Sequence, residues 1–249
     1  MVNKRKRFQG VSNIILFNWH KYVIALIFCI ILTILAGFLA PEHRSMIFCV
    51  IGLAIVGMLV SLFISFYVYD LSNLYEFHPL GNLNQKKVLN INAGFDEVSQ
   101  ILTEKFPMID LKICDFYDPN EHTEVSIKRA RQKYPAMPGT ILAKTNNIPF
   151  PDQTFDKVIC IFSAHEIRNT NQRIEFLNEL KRVILISGEV ILTEHLRDIP
   201  NFLAYNIGFL HFYSKNSWFN CFHKAGLLLE REVKVNPFIS TFILRSNGK

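Results

Sequence analysis

No two of this chain's five cysteines are spaced as C-x-x-C, and none stands at metal-ligand spacing. A disulfide framework and a cysteine-based zinc site are thereby excluded. Cys29 and Cys49 lie in apolar segments, and Cys114 and Cys160 in predicted strands, so they read as small buried hydrophobes of a reduced compartment. The fingerprint G-x-G-x-x-G is missing, which argues against a nicotinamide-dinucleotide domain. There is no internal repeat and no low-complexity tract. Charge is absent from two long stretches, residues 22–40 and 45–69, which contain no Asp, Glu, Lys or Arg. A small-x-small cleavage pattern is lacking where the first stretch ends in Phe38-Leu39-Ala40 before Pro41, so a removable signal peptide is not the reading.

What is present begins with those two apolar stretches. Roughly 19 or more charge-free residues suffice to cross the hydrocarbon core of a bilayer, and Leu, Ile, Phe and Val all favour insertion. Residues 1–73 are expected to be a basic tail and a two-helix transmembrane hairpin, with spans at about 22–40 and 45–69 around the turn Pro41-Glu42-His43-Arg44. Lys4, Arg5, Lys6, Arg7 and Lys21 outweigh the single Arg44 of the turn. Positive-inside then places the tail, and after two crossings residues 74–249, in the cytoplasm. The expected location is the cytoplasmic membrane, with the lipid bilayer as partner and no nucleic acid. Tyr67, Tyr69 and Tyr75 at the exit, with Trp19 and His20 at the entrance, are expected to form interfacial aromatic belts. The linker from Asp70 to Gln85 reads as a short helix and a loop; its apolar residues suit either the bilayer surface or the domain.

Beyond the linker, strands and helices alternate. Residues 88–91, 111–114, 140–143, 157–163 and 190–193 read as strands, and 97–106, 125–134 and 173–183 as helices. Asp96 is expected to cap the first helix, and Gly188 to turn the chain into the fifth strand. This order predicts an α/β domain with a parallel sheet covered on both faces. The run Val158 to Phe162 suits a central strand, and it stops at Ser163-Ala164-His165-Glu166. Open α/β sheets bind ligands just past the carboxyl ends of such strands. Asp115 stands about 20 residues after the turn at residues 92–96, where a nucleotide-binding unit places its ribose carboxylate.

Four segments resemble motifs of the class I S-adenosylmethionine-dependent methyltransferases, of the branch that includes quinone-type C-methyltransferases. VLNINAG (88–94) looks like the first motif, usually VLDxGxGxG. IPFPDQTFDKV (148–158) looks like LPFPDxSFDxV, the most specific match. LNELKRVILISGEVILTEH (177–195) looks like LxExxRVLKPGGxLLxxE, and KAGLLLEREVKVNPFISTFILRS (224–246) resembles the closing antiparallel pair. The resemblance implies a Rossmann-like, mostly parallel sheet with an antiparallel last strand, preceded here by the two membrane helices. It implies S-adenosylmethionine as cofactor, held by Asn90, Asn92, Ala93 and Gly94 at the first turn, Asp115 and Phe116 after strand two, Asn146, Asn147 and Ile148 at the adenine, and Ser163. This chain departs from the pattern: Asn90 replaces an acidic residue, Gly94 alone remains of the first-motif glycines, and Asp96 puts a carboxylate near the cofactor's own.

Methyl transfer needs alignment, and a general base only when the acceptor must lose a proton. His165 and Glu166 are the expected catalytic pair, with Glu194 and His195 at the neighbouring strand end; no metal is expected. The plainer alternative has Glu166 capping a helix and His195 packed in a loop. The aromatic stretch 196–222 corresponds to the family's substrate lid and fits an apolar, membrane-resident acceptor such as a lipid or quinone, with Lys215 and His211 toward headgroups. Helix-on-sheet core is the alternative for that stretch. The rival function is a catalytically degenerate scaffold or ligand sensor of the same fold.

Overall fold

The computed structural model describes residues 5–121 and 124–248, so Lys4 of the basic tail lies outside the described residues. Two long helices come first, α1 (Gln9–Ala36) and α2 (Pro41–Phe66), packed together as a hairpin. Pro41 takes the first turn of α2, where its missing N–H would have had no intrahelical partner. Each helix is long and apolar enough to cross a membrane. One π-helical turn (Tyr67–Leu71) and two short 3-10 turns (Asn73–Glu76 and His78–Leu80) lead into the domain. Leu74, Phe77, Leu80 and Leu83 are buried against it, which settles where most of the linker's apolar side chains go.

The domain then runs β1 (Lys87–Asn92), α3 (Val98–Lys105), β2 (Asp110–Asp115), α4 (Val125–Lys133), β3 (Ile141–Leu142), β4 (Phe155–Ile161), α5 (Thr170–Val183), β5 (Ile184–His195), α6 (Ile199–Tyr205), α7 (Lys215–Lys224), β6 (Leu227–Asn236) and β7 (Ile239–Ser246). The strands form one sheet in the order β3-β2-β1-β4-β5-β7-β6, in which β7 alone runs against its neighbours. Val88, Leu89, Val158, Ile159, Val190 and Ile191 are fully buried because helices cover both faces of the sheet. The order reverses between β1 and β4, and a crevice opens there past the strand ends.

Local chemistry accounts for the boundaries. Asp96 Oδ1 accepts from Val98 N and Ser99 N at 3.0 and 2.9 Å and so caps α3 as expected. Asn169 caps α5 in the same way, through Asn171 N and Gln172 N, so α5 starts before the expected Arg173 and Glu166 is not its cap. β4 ends at Ile161 rather than Ser163, because Phe162 adopts a left-handed φ of 51° and takes the chain off the sheet. β5 follows α5 directly, and Gly188 lies inside it, not before it. The register slips there, from Phe155 opposite Ile184 to Lys157 opposite Glu189. A Cβ at Gly188 would stand 2.9 Å from the Asp156 carbonyl oxygen, so only glycine admits this close approach.

The segment 148–154 also has a structural explanation. Ile148 N donates to Glu179 at 2.8 Å, while Arg182 donates to the carbonyls of Ile148 and Phe150 and to Asp152 at 2.8–2.9 Å. α5 therefore clamps the approach to β4, and Ile148 itself is core.

Candidate active site

The turn after β1 is built around Gly94, whose φ of 95° suits glycine. Asn92 Oδ1 accepts from Gly94 N at 3.0 Å and fixes the turn. Asn90 is buried, and its amide donates to Asp96 Oδ1 and Ser99 Oγ, so it braces the turn from beneath. Ser163 Oγ donates to Ile91 O and ties β4 to β1. Ala93 lines a small cavity of about 80 Å³ with Tyr75, Phe95, Glu97, Phe162 and Glu166. A larger cleft, about 680 Å³, is bordered by Phe116, Ala143, Asn146, Asn147 and Gln172. Among the expected cofactor residues, Ala93, Phe116, Asn146 and Asn147 line these spaces, whereas Asn90, Ile148 and Ser163 hold the frame behind them.

Asp115 closes β2 and is buried. Its Oδ1 accepts from Tyr117 N at 2.9 Å, and its Oδ2 is paired with Arg131 of α4. The Arg131 guanidinium lies 4.4 Å over the Tyr117 ring. A Cβ at Gly94 would meet Tyr117 and Arg131 at 2.9 Å, so these two side chains cover the open side of the turn. Arg131 carries no signal of this role in the sequence, because a mid-helix arginine reads as surface until the fold lays it on a carboxylate. Asp96 Oδ2, in contrast, is buried with no hydrogen-bond partner among the described residues.

His165 lies in the short turn after β4, and the ends of β4 and β5 bring Glu194 to it. His165 Nδ1 donates to Glu194 Oε2 at 2.6 Å, and Glu166 Oε1 lies 3.2 Å from Nε2. Burial pushes the imidazole pKa down, but Glu194 and then Glu166 outweigh it and raise it to about 10. Burial also opposes ionisation of Glu166, yet bonding to His165 and His211 holds its carboxyl well below the usual range. His211 arrives from the stretch after α6, 3.6 Å from Glu166. Its place is in the site rather than at a lipid headgroup; Lys215, likewise, pairs with Glu232. His165, Glu166 and His211 have the spacing of a metal site. Arg168, however, sits 2.6–2.7 Å from both His211 ring nitrogens and 3.8 Å from Glu166, so the chain's own cation holds that position.

His195 leaves this cluster. Its Nδ1–H faces Asn201 Oδ1 and Phe238 O, both at 3.1 Å, and its Nε2 accepts from Tyr69 OH at 2.9 Å. Burial is the main cause that lowers its pKa to about 4 and keeps it neutral. It stacks between Phe162 and Phe212, so it is packed, as the plainer alternative had it, but at a strand end.

The root of the hairpin completes the wall. Glu97 collects Arg5, Gln9, Asn13 and the Tyr75 hydroxyl at 2.9–3.4 Å. Asn13 in turn accepts from Lys133 and Tyr134. Tyr69 and Tyr75 therefore point into the protein, not into an aromatic belt, because each finds a buried polar partner. Trp19 stays half exposed with Arg129 4.9 Å over its ring, and Arg129 also contacts His20.

This architecture is the Rossmann-like fold of the S-adenosylmethionine-dependent methyltransferases. The comparisons with known proteins agree with it. Residues 114–192, about a third of the chain, match the family model described as methyltransferase domain (Methyltransf_11). The mitomycin 7-O-methyltransferase structure is 10% identical, with a TM-score of 0.53 over 83% of this chain and 58% of that one. A SAM-dependent methyltransferase from Aquifex aeolicus is 21% identical over 70% of this chain and 93% of its own, with a TM-score of 0.48. No curated protein matches.

S-adenosylmethionine is the cofactor this fold implies, and the residues fit it once Arg131 moves. Asp115 can bind the ribose hydroxyls and the backbone around Gly94 the methionine end. The orphaned Asp96 Oδ2 is an acceptor suited to an ammonium, and Asn146 and Asn147 can hydrogen-bond a base. Arg131 is about a third exposed, so its guanidinium can leave Asp115 for solvent.

Proposed function

We propose that this chain is a membrane-anchored methyltransferase that methylates an apolar, membrane-resident acceptor bearing an ionisable hydroxyl, such as a quinol-like lipid. The observation that carries the reading is His165, held between Glu194 and Glu166 beside the cavity under the glycine turn. S-adenosylmethionine supplies an electrophilic methyl group on a sulfonium. The chain's part is to align the acceptor and to take its proton. Glu194, fully buried, fixes the imidazole through Nδ1 and stabilises its charged form. Nε2 is the atom that takes the acceptor proton, with Glu166 beside it. With its pKa raised to about 10 the imidazole is charged at neutral pH, so Nε2 accepts the proton only in the neutral fraction and transfer speeds up as pH rises.

Anchoring is supported by the charge-free lengths of α1 and α2 and their exposed apolar faces. The domain boundary near residue 74 is functional more than structural, since residues 5–20 dock on the domain. In this reading the tail and domain face the cytoplasm and the turn at 41–44 lies outside.

The test is transfer of radiolabelled methyl from S-adenosylmethionine to a membrane lipid extract by the full-length protein in lipid vesicles. Label is expected in the organic phase and is expected to fall about a hundredfold in His165→Asn, the usual worth of a general base. Label confined to the aqueous phase contradicts the acceptor class. The second reading, a non-catalytic scaffold, is favoured by one observation: Arg131 and Tyr117 cover the turn at Gly94. It requires that the cofactor fail to bind.

A further inference from the structure

Residues 199–210 present an apolar face that the domain does not cover. Ile199, Leu203 and Ile207 are 74%, 64% and 81% exposed, and Phe202 and Leu210 are about half exposed. Five large hydrophobics within twelve residues are too dense for scattered surface apolarity. The same segment buries Ala204 and Asn201 on its inner side, so it is amphipathic.

Its position is fixed by the hairpin. α6 packs against α2. Asn206, just past α6, points its amide at the Gly57 carbonyl at 3.5 Å. A Cβ at Gly57 would stand 3.1 Å from that amide, so the absence of a side chain on α2 lets the segment approach. Gly57 lies sixteen residues after Pro41 and Lys21 fifteen before Ala36. At 1.5 Å per residue, both stand about 23 Å from the turn of the hairpin. On α1 this is the height where Arg129 meets His20 and Trp19 beside Lys21, a basic and aromatic girdle of the kind found at headgroups. Residues 199–210 therefore sit at the same height, and the lipid-exposed part of α2 ends near there and not at Tyr69, since Ser65 and Val68 beyond it are buried in the protein.

We propose that residues 199–210 are a third membrane-contacting element, an interfacial segment lying in the leaflet on the domain's side, with its apolar face in the acyl–headgroup boundary. Helices of this type bury their apolar face about 5–10 Å below the headgroups. The proposal rests on insertion of the hairpin. It also gives the segment a role in the chemistry, because its far end carries His211 and Phe212 to His165, with ring centroids 5.2 and 6.3 Å away.

The test uses the full chain in phosphatidylcholine–phosphatidylglycerol vesicles, with Cys29 and Cys49 replaced by Ser, the buried Cys114, Cys160 and Cys221 left in place, and an environment-sensitive fluorophore on one introduced, accessible cysteine at a time. Leu203→Cys and Ile207→Cys report on the segment, Ile55→Cys on the hairpin and Glu104→Cys on the exposed side of α3. Doxyl-labelled lipids report depth. Probes at 203 and 207 are expected to emit to the blue of the probe at 104 and to be quenched at least twofold more by shallow doxyl groups. A quenched probe at 55 with probes at 203 and 207 behaving like 104 overturns the proposal and leaves the anchor standing. An unquenched probe at 55 overturns both.

Discussion

His165 illustrates how much a single residue's neighbours decide. Both ring nitrogens face carboxylates, so the folded state holds its proton more tightly than the unfolded chain does. With a folded pKa raised to about 10, this histidine's stabilisation is complete below about 6.5 and disappears as pH rises through about 10. His195 has the opposite sign. Its pKa is lowered to about 4, so the unfolded chain takes up the proton first and stability falls as pH drops from about 6.5 toward 4. Denaturation measured from pH 4 to 10.5 is expected to show both slopes, with His165→Gln removing the alkaline one. For activity, a base with this pKa gives kcat/KM that climbs with pH well above neutrality. Glu194→Gln is expected to lower the pKa and bring the rise toward pH 7, which a pH–rate profile detects.

Arg131 poses a separate question at the same scale. Its guanidinium occupies the Asp115 oxygen that a ribose would use. Arg131→Ala is expected to tighten S-adenosylmethionine binding by roughly tenfold, the worth of one charge-assisted hydrogen bond that no longer has to be broken. Equilibrium dialysis against labelled cofactor measures this. Weaker binding in that variant would mean that Arg131 contacts the cofactor rather than competing with it.

At the scale of elements, β5 and the root of α1 carry the sharpest expectations. Gly188→Ala places a methyl against the Asp156 carbonyl, and a loss of about 1–3 kcal/mol in chemical denaturation is expected. Glu97→Ala leaves Arg5, Asn13 and Tyr75 without their shared acceptor. Faster hydrogen exchange over residues 9–20 is expected, with β1 and β4 unchanged. These elements also mark how far the sequence was legible. Apolar runs located β1, β2 and β4 to within two residues, and the core of β5 though not its start at Ile184, because strands covered by helices must be largely apolar; the final pair was legible only through its motif. The bulge at Gly188 was hidden, since a glycine before an apolar run reads equally as a turn. The HE and EH pairs were visible as candidates, but their division was not. Alternation along β5 sends Glu194 and His195 to opposite sides of the sheet, so one joins His165 and the other an aromatic pocket.

For the whole molecule, the hairpin and the domain form a continuous structure. The basic tail, read as a topology signal, spends Arg5 on Tyr69, Tyr75, Asp70 and Glu97. The glycine turn, α4 and His195 each touch residues that precede position 70. None of these contacts was legible, because a buried polar partner for a juxtamembrane tyrosine exists only once the fold has formed. A fragment that begins near Leu74 lacks Arg5, Asn13 and Tyr69 and leaves Glu97 and His195 short of partners. It is expected to unfold at lower denaturant than the domain in the full chain, and cofactor binding is therefore best measured on the intact protein.

The central claim is that this fold, with a single glycine left in its first turn, still binds S-adenosylmethionine. Calorimetry of S-adenosylmethionine and its demethylated product on the full-length protein in lipid nanodiscs tests it most directly. Binding in the micromolar range is expected, weakened at least tenfold by Asp115→Asn with the circular dichroism unchanged. No heat at millimolar ligand, from protein shown to be folded, would contradict the account and leave a membrane-tethered scaffold in its place.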